Sequence, residues 1–430
     1  MTSDNDQPRA TDTAARPAFS KRIVEHLRNL GPGLLVAAAF LGPGTVTTAS
    51  TAGADSGFQL VWAVVFGTLA AIVLQEMSAR LGVVAGEGLG EALRTTFDNA
   101  AMKAVAAVLV ISAIGIGGAA FETGNITGAA IGLESLAAGS QALWAIVIGA
   151  VTAALLWSGV YKVIERLLIA LVVLMSVVFL VTAVIVRPDI TELLAGFAPT
   201  LPSGAVLTVV ALVGTTVVPY NFFLHASSVR EKWDRSIPTD RALSGARFDT
   251  VFSIGLGGLI TLGVLTTAAA AFFGTGTSIT DAGTMAEQLE PALGPAAKYF
   301  FALGLLAAGL SSAVTAPLAS SYAICGVLGW RQDLKAPRFR AIWIATLVIG
   351  VAFALVGGSP VQAIVFAQAT NGVLLPIVAA FLLIVMNRSD LLGRHANTTV
   401  ANVLGGIVVL VAAGLGAASL VDVARTISGG

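Results

Sequence analysis

The stretch Phe40-Leu-Gly-Pro-Gly-Thr-Val-Thr-Thr48 interrupts the first long apolar run of the chain near its middle. Proline removes a backbone donor and clashes with the preceding helical turn, and glycine lowers the cost of unwinding. The stretch Val213-Gly-Thr-Thr-Val-Val-Pro-Tyr-Asn221 interrupts the sixth apolar run in a similar way. Backbone groups exposed at membrane depth require a polar cavity. The two stretches therefore predict two broken transmembrane helices that face one site.

Apolar runs that are long enough to cross a bilayer recur along nearly the whole chain. Of the 430 residues, 56% are hydrophobic and 11% are charged, which is more apolar side chain than a soluble fold can bury. A hydrocarbon core of about 30 Å requires roughly 20 apolar residues per helix. Continuous apolar runs also exclude the alternation of a β-barrel. We predict eleven spans, near residues 30–54, 58–84, 102–128, 142–158, 165–187, 204–229, 249–273, 296–326, 340–357, 360–386 and 400–424.

The two broken spans occupy corresponding positions in two five-helix halves. The halves cover residues 30–187 and 204–386, an extra helix follows at 400–424, and residues 1–29 form a polar tail. Discontinuous helices at matching positions are typical of a secondary transporter built as an inverted repeat, with its site at the bilayer midplane. Two ordinary kinks are the alternative, because Pro and Gly are common in membrane helices.

Basic residues predict the orientation of the chain. Of the 24 Lys and Arg residues, 21 lie on one side if the N-terminus is placed in the cytosol. We therefore predict a multi-pass protein of the plasma (inner) membrane with a cytosolic N-terminus and an extracytosolic C-terminus.

The formal net charge of zero, without one large basic patch, excludes a nucleic-acid partner. Cys325 is the single cysteine, so one chain cannot form a disulfide or a thiolate metal site.

Around the two breaks the sequence resembles the Nramp family of proton-coupled divalent metal ion transporters, which have the LeuT fold. The resemblance covers about residues 30–424. Each of its motifs is weak alone, but their order and spacing together are specific to the family. It is carried by Gly31-Pro-Gly-Leu-Leu35 with Pro43, by residues 78–86 and 89–94, by Pro219 with residues 224–227, by residues 307–312, and by Gln368 ahead of Leu375-Pro376. The resemblance implies an all-α integral membrane protein with a LeuT-type five-plus-five inverted repeat plus one extra helix. It also implies transport of a divalent metal ion of the Mg and Mn class, with coupling to protons.

The sequence departs from the family pattern at the metal ligands. The family has Asp-Pro-Gly-Asn at the first break and Met-Pro-His at the second, whereas this chain has Gly42-Pro-Gly-Thr45 and Val218-Pro-Tyr220. Of the family's site side chains, only Gln368 keeps its type. The resemblance and the polar groups at the breaks assign the substrate site to Gly42, Thr45, Thr215, Val218, Tyr220, Asn221, Gln368 and Asn371. For a metal ion, the ligands would be Gln368, Thr45, Thr215 and the backbone of Gly42.

The nature of the solute remains open at this point. Divalent ions at the midplane normally require carboxylates or softer ligands, and the candidate site is neutral. Half-helix N-termini and hydroxyl donors also suit a small organic solute with a carboxylate or an amine. A channel is disfavoured because the chain lacks a carbonyl-filter repeat and a ring of charges. An enzyme is disfavoured because no catalytic cluster lies in the spans, and we expect no cofactor.

The resemblance also assigns a proton or ion-pair network. Glu122 and Asn125 stand at two positions that are acidic in the family, and Arg340 matches an arginine that pairs with the acid of the third helix. We therefore expect an ion pair between Glu122 and Arg340. His225 matches a histidine of the proton route, and Asn221 lies one turn before it on the same face. Asp249 is expected near the start of its own helix, where an acid favours the helix dipole.

Overall fold

The chain folds into a bundle of long helices. The computed structural model describes residues 31–159, 162–233 and 236–427, and those ranges contain helices without strands. Within them, ten helices are long and apolar enough to cross a membrane, and a bent pair over residues 32–56 makes eleven. The predicted number of spans is confirmed. The predicted tail at residues 1–29 lies outside the described residues.

Spans 1 to 11 are named here in chain order, and the broken spans 1 and 6 have halves a and b. Their bounds are Pro32–Phe40 (1a) and Pro43–Ser56 (1b), Val61–Ala85, Ala100–Glu134, Gln141–Ser158, Lys162–Ile185, Val206–Thr216 (6a) and Tyr220–Lys232 (6b), Thr239–Phe272, Ala297–Leu328, Pro337–Ala354, Pro360–Met386 and Thr399–Ile427. Short helices lie in the connections at Leu89–Thr96, Ile190–Ala195, Ala282–Glu287, Glu290–Leu293 and Ser389–Leu392.

Local sequence explains where several spans begin and end. The Asn99 side chain accepts from the amides of Ala101 and Met102 and so caps the start of span 3. Span 10 begins with Ser359 as the cap and Pro360 in the first turn, where proline loses no hydrogen bond. Span 4 ends at Gly159, whose φ of 66° is the left-handed conformation that stops a helix.

Spans 1 and 6 lie in the interior, where span 7 packs on span 1, span 2 packs on span 6, and spans 3, 8 and 10 also contact them. Large apolar side chains on the outer spans point away from the bundle, for example Val184 on span 5 and Leu410 on span 11. In a membrane protein such side chains face lipid, so the exterior of the bundle is apolar, unlike that of a soluble protein.

Glycine allows span 6a and span 10 to pack backbone to backbone. A Cβ added to Gly214 would lie 2.2 Å from the Gln368 carbonyl oxygen and 2.4 Å from the Gly372 nitrogen. A Cβ added to Gly372 would lie 2.4 Å from the Val210 carbonyl oxygen. Small residues at helix contacts are typical of membrane proteins. The contact holds the second break directly against the helix that carries Gln368.

Asp249 differs from the sequence prediction, because it does not cap its own helix. Span 7 begins ten residues earlier, at Thr239. The Asp249 carboxylate instead accepts from the amides of Gly31 and Gly33, at 3.1 and 3.0 Å, and from Ser253 Oγ at 3.2 Å. Asp249 therefore does lie at a helix N-terminus, but the helix is span 1a and not span 7, which carries Asp249.

Candidate substrate site

The first span breaks at Gly42, as the sequence predicts. Spans 1a and 1b meet at an angle of 55°, and Gly42 has an extended backbone between them. Because Pro43 has no N–H, the carbonyl of Ala39 loses its helical donor. The amides of Thr45 and Val46 both donate to the Gly42 carbonyl, at 3.1 and 3.3 Å. The break therefore presents backbone oxygen to the interior of the bundle.

The sixth span breaks at residues 217–219, also as predicted. Span 6a ends at Thr216, and span 6b begins at Tyr220. Pro219 removes the helical donor of the Thr215 carbonyl, just as Pro43 does for Ala39. Both prolines thus free one carbonyl in the turn before them. The matching cause supports the predicted correspondence of the two spans.

A side-chain hydrogen bond joins the two breaks. The hydroxyl oxygens of Thr45 and Thr215 lie 2.7 Å apart, and both residues are buried. Thr45 Oγ1 also contacts the carbonyl oxygen of Phe40, the last residue of span 1a. Two residues of the predicted substrate site therefore meet directly, although they are 170 positions apart.

Gln368 on span 10 lies against the first break. A Cβ on Gly44 would be 2.3 Å from Gln368 Nε2, and a Cβ on Gly124 of span 3 would be 3.0 Å from it. The side chain of Gln368 is completely buried, and neither amide atom has a hydrogen-bond partner within the described chain. A buried amide without partners is costly, so Gln368 is suited to bind a ligand.

The other predicted site residues lie at different distances from this centre. Asn221, in the first turn of span 6b, is fully buried, and its two amide atoms have no partner among the residues described. Val218 is part of the apolar core, and Tyr220 packs edge-to-face on Phe121 at 5.6 Å between ring centroids. Asn371 donates to the Gly117 carbonyl at 3.3 Å. Gln368 lies beside Gly124 of span 3, whereas Asn371 contacts Gly117, which is two helical turns earlier on the same helix. The two side chains therefore contact span 3 at different depths.

The expected ion pair between Glu122 and Arg340 does not form. Glu122 is fully buried on span 3, and its methylenes pack against Gly350 of span 9. Arg340 lies ten residues earlier on that helix, which is about 15 Å along its axis. Arg340 instead stacks on Trp157 at 4.3 Å and donates to the Leu334 carbonyl. The register of span 9 therefore separates the two charges.

Glu122 and Asn125 contact each other, but His225 belongs to a different group. Asn125 Nδ2 lies 3.5 Å from Glu122 Oε2, while Glu122 Oε1 has no partner in the part of the chain described. His225 Nδ1 pairs with Gln75 Oε1 of span 2 at 2.9 Å. The predicted network of four residues is thus three separate contacts. The sequence did not predict Gln75 as a partner of His225, because only its position opposite span 6b in the folded protein identifies it.

Ser312 on span 8 was also missed as a site residue. It is 2% exposed, and its hydroxyl has no partner among the described residues. A Cβ on Gly42 would lie 2.9 Å from Ser312 Oγ. The sequence carried one signal, since Ser311-Ser312 ends a stretch that resembles the family, but nothing in it distinguished the two serines.

The chemistry of the site is that of neutral oxygen donors. Hydroxyl, amide and backbone carbonyl oxygens surround the breaks, and hard cations prefer oxygen ligands. The described ranges, which exclude 1–30, 160–161, 234–235 and 428–430, contain no group of three or more His, Cys, Asp and Glu residues able to hold a metal ion. A ligand of this site would therefore be held by dipoles rather than by a cluster of charges.

Comparison with known proteins places these features in a family. The profile of the natural resistance-associated macrophage protein-like (Nramp) family matches residues 33–422. The divalent metal cation transporter MntH of Yersinia pestis (strain Pestoides F) is 30% identical over 421 residues, which cover 96% of this chain and 98% of that protein.

Solved structures agree on the fold. A point mutant of the Eremococcus coleocola manganese transporter matches with a TM-score of 0.77 at 21% identity, over 97% of this chain and 91% of that one. Mhp1, a nucleobase-cation-symport-1 family transporter, matches with a TM-score of 0.53 at 16% identity, over 92% and 93% of the two chains. The predicted LeuT-type fold is confirmed, while the residue bounds of its two repeats stay a prediction. The chain, with its two proline-broken spans around a buried polar site, belongs to the Nramp family of membrane transporters.

Proposed function

We propose that the protein is a secondary transporter that carries a divalent metal ion of the hard Mg²⁺ and Mn²⁺ class across the plasma (inner) membrane. Gln368 carries this proposal, because its buried amide has no partner within the described chain and lies against the first break. Family membership and relatives named as divalent metal cation transporters favour a metal ion over the organic solute. The N-terminus would be cytosolic and the C-terminus extracytosolic.

The donor set supports a hard ion with part of its hydration shell retained. Thr45, Thr215, Asn221 and Gln368 offer oxygen atoms, and Val218 stands where the family has a thioether. Mg²⁺ and Mn²⁺ accept oxygen ligands and keep water readily, whereas softer ions gain from sulfur. We therefore expect Cd²⁺ to compete poorly with Mn²⁺ in the native protein. The substitution Val218→Met should strengthen that competition about tenfold, because it adds the thioether.

Proton coupling is part of the same proposal. Glu122 is fully buried one turn before Asn125, and it forms no ion pair with a described residue. A carboxyl in such surroundings can hold or release a proton as the environment changes. An inward proton gradient should stimulate uptake, and Glu122→Gln should remove that stimulation because the amide does not titrate.

The test is uptake into proteoliposomes that contain the full-length protein. Saturable Mn²⁺ or Mg²⁺ uptake is expected, and Gln368→Leu should reduce it at least about tenfold through the loss of a ligand. Gln362→Leu is the matched control, because Gln362 lies on the same helix but is exposed. Uptake of a small organic acid or amine without any metal uptake would contradict the proposal.

A further inference from the structure

An apolar groove lies on the outer side of the bundle between spans 4 and 9, far from the two breaks. Its floor is buried, whereas Trp157 and Val348 on its two walls are each 59% exposed. The groove has a volume of about 380 Å³. We name it the 4–9 groove and define it by Ala153, Ala154, Trp157, Trp343, Leu347 and Val348.

A tight contact between the two spans closes one end of the groove. A Cβ on Gly149 would lie 2.6 Å from Val351 Cγ2, so span 4 and span 9 touch at this level. One turn later on span 4, the small side chains of Ala153 and Ala154 leave space between the helices. The groove therefore begins where the two spans separate and runs from there to Trp157, near the end of span 4.

Arg340 lies at the other end of the groove. Its guanidinium stacks on Trp157 at 4.3 Å, and its Nε donates to the Leu334 carbonyl at 3.2 Å. Arg340 forms no ion pair with a described residue, and its two Nη nitrogens donate to none of them. A guanidinium whose Nη groups are available is suited to a phosphate, which accepts two parallel hydrogen bonds from it.

The surroundings of Arg340 add positive potential to this end. Residues 331–340 carry four basic side chains and one acidic side chain. Span 9 begins at Pro337 without a side-chain cap and without an acid in its first turn. The positive end of its helix dipole is therefore not neutralised, and anions are stabilised at such ends. The Arg340 end of the groove is thus complementary to a negatively charged group.

The length of the groove indicates the kind of ligand. Arg340 and Val351 are eleven residues apart on span 9, which is about 16 Å along the helix axis. One leaflet occupies half of a bilayer core of about 30 Å. The groove therefore has a cation at one end, a closed end at the depth of the midplane, and apolar walls between them. A phospholipid has the same order of parts, with a phosphate followed by an acyl chain.

We propose that the 4–9 groove binds one anionic phospholipid, with its phosphate at Arg340 and one acyl chain between spans 4 and 9. The acyl chain passes from one apolar environment into another, so it gains little free energy by itself. The charge at Arg340 then determines which headgroup is preferred. The bound lipid would join the two spans at the end where they separate.

This binding goes beyond the proposed function and depends on neither the transported ion nor proton coupling. Only the choice of leaflet rests on the proposed orientation, which places the Arg340 end on the cytosolic side. Trp157 agrees with a position at the membrane surface, because tryptophan is enriched at both membrane interfaces.

The experiment is native mass spectrometry of the purified full-length protein, which counts bound lipids directly. The protein in detergent is titrated with dioleoyl-phosphatidylglycerol and, separately, with dioleoyl-phosphatidylcholine, whose ammonium group cancels the phosphate charge. The native protein should retain one phosphatidylglycerol at an about fivefold lower concentration than phosphatidylcholine, as expected for one basic residue. Equal retention of the two lipids would overturn the proposal.

Substitution of Arg340 tests the headgroup contact. Arg340→Gln should raise the phosphatidylglycerol concentration for half-maximal binding about fivefold and remove the preference over phosphatidylcholine. Arg340→Lys should keep part of that preference, because lysine binds phosphate as a point charge. Arg331→Gln is the matched control, since the Arg331 side chain is 86% exposed and lies 3.7 Å from Asp333. Equal losses in Arg340→Gln and Arg331→Gln would refute the contact.

A second variant tests the acyl-chain contact while the charge remains. Ala154→Trp would fill the groove with an indole, so the binding of both lipids should weaken at least about fivefold, by steric exclusion. Ala150→Trp is the matched control, because Ala150 is also exposed on span 4 but does not line the groove. Native lipid binding by Ala154→Trp would show that the groove takes no acyl chain, and the proposal would fail.

Two further outcomes separate the lipid from another occupant and from the proposed function. If the native protein has the mass of a dimer and Ala154→Trp that of a monomer, a second copy of the chain covers the groove and the proposal fails. If phosphatidylglycerol binds as expected but proteoliposomes take up no divalent ion, the proposed substrate fails and the lipid site stands.

Discussion

The hydroxyl groups of Thr45 and Thr215 form a hydrogen bond of 2.7 Å between the two broken spans. Thr45 follows the break at Pro43, and Thr215 precedes the break at Pro219. The bond therefore joins the start of span 1b to the end of span 6a. In the family to which this chain belongs, a metal-ligating amide stands at the position of Thr45. Here the two positions contact each other directly, so a substrate bound at the proposed site would compete with or join their hydrogen bond.

Removal of the Thr215 hydroxyl tests this relationship. Thr215→Val keeps the shape of the side chain, and Thr45 retains its contact with the Phe40 carbonyl. The half-saturation concentration for divalent uptake should rise about fivefold to tenfold, in line with ~1 kcal/mol for one buried hydrogen bond. Thr216→Val is the control, because the Thr216 hydroxyl donates to the Leu212 carbonyl of its own helix. Equal effects of the two variants would refute a special role for Thr215.

A second prediction concerns the contact between Gly44 and Gln368. Gly44→Ala places a Cβ 2.3 Å from Gln368 Nε2, and Gly124 closes the other side of that amide. Overpacking of this kind costs ~1–3 kcal/mol, so both thermal stability and uptake should fall. Gly115→Ala is the control on span 3, because no atom lies within 4 Å of its added Cβ. The idea fails if Gly44→Ala unfolds and transports like the native protein.

A third prediction concerns the attachment of span 1a to span 7. Asp249→Asn removes the charge that caps the amides of Gly31 and Gly33, which should cost ~1 kcal/mol. Hydrogen exchange followed by mass spectrometry should show faster exchange in residues 31–40 and little change elsewhere. Thr250→Val should leave this region unchanged, because the Thr250 hydroxyl bonds within its own helix. Unaltered exchange in Asp249→Asn would exclude the capping role.

A fourth prediction follows from the separation of Glu122 and Arg340. Because Arg340 stacks on Trp157 instead, the substitutions Glu122→Gln and Arg340→Gln should act independently. Their effects on the free energy of unfolding in detergent should add within ~0.5 kcal/mol, as for residues without shared partners. A coupling energy above ~1 kcal/mol in the double-mutant cycle would show that the two charges interact after all.

Much of the fold follows from local sequence. Eleven apolar runs of spanning length predict the helices, and the breaks at Pro43 and Pro219 occur where the sequence predicts them. Proline acts on its own turn by removing one donor, so its effect does not depend on distant residues. The clustering of Lys and Arg predicts an orientation by the same kind of simple rule.

The site is predictable only in part. Thr45, Thr215, Asn221 and Gln368 are buried at or beside the breaks, as their positions on spans 1, 6 and 10 indicate. Asn371 faces a different level of span 3, and Arg340 does not approach Glu122. Both differences arise from helix register, since a shift of a few residues along a packed helix moves a side chain by a whole turn.

Short-range composition is sufficient to predict that this protein spans a membrane, how many spans it has and where two of them break. Which polar atoms meet, in contrast, is visible only in the folded protein. Thr45 contacts Thr215, His225 contacts Gln75, and Asp249 caps Gly31 and Gly33. These partners are between 150 and 218 residues apart in the chain. Such contacts depend on the rotation and depth of whole helices, which are set by packing against every neighbour at once.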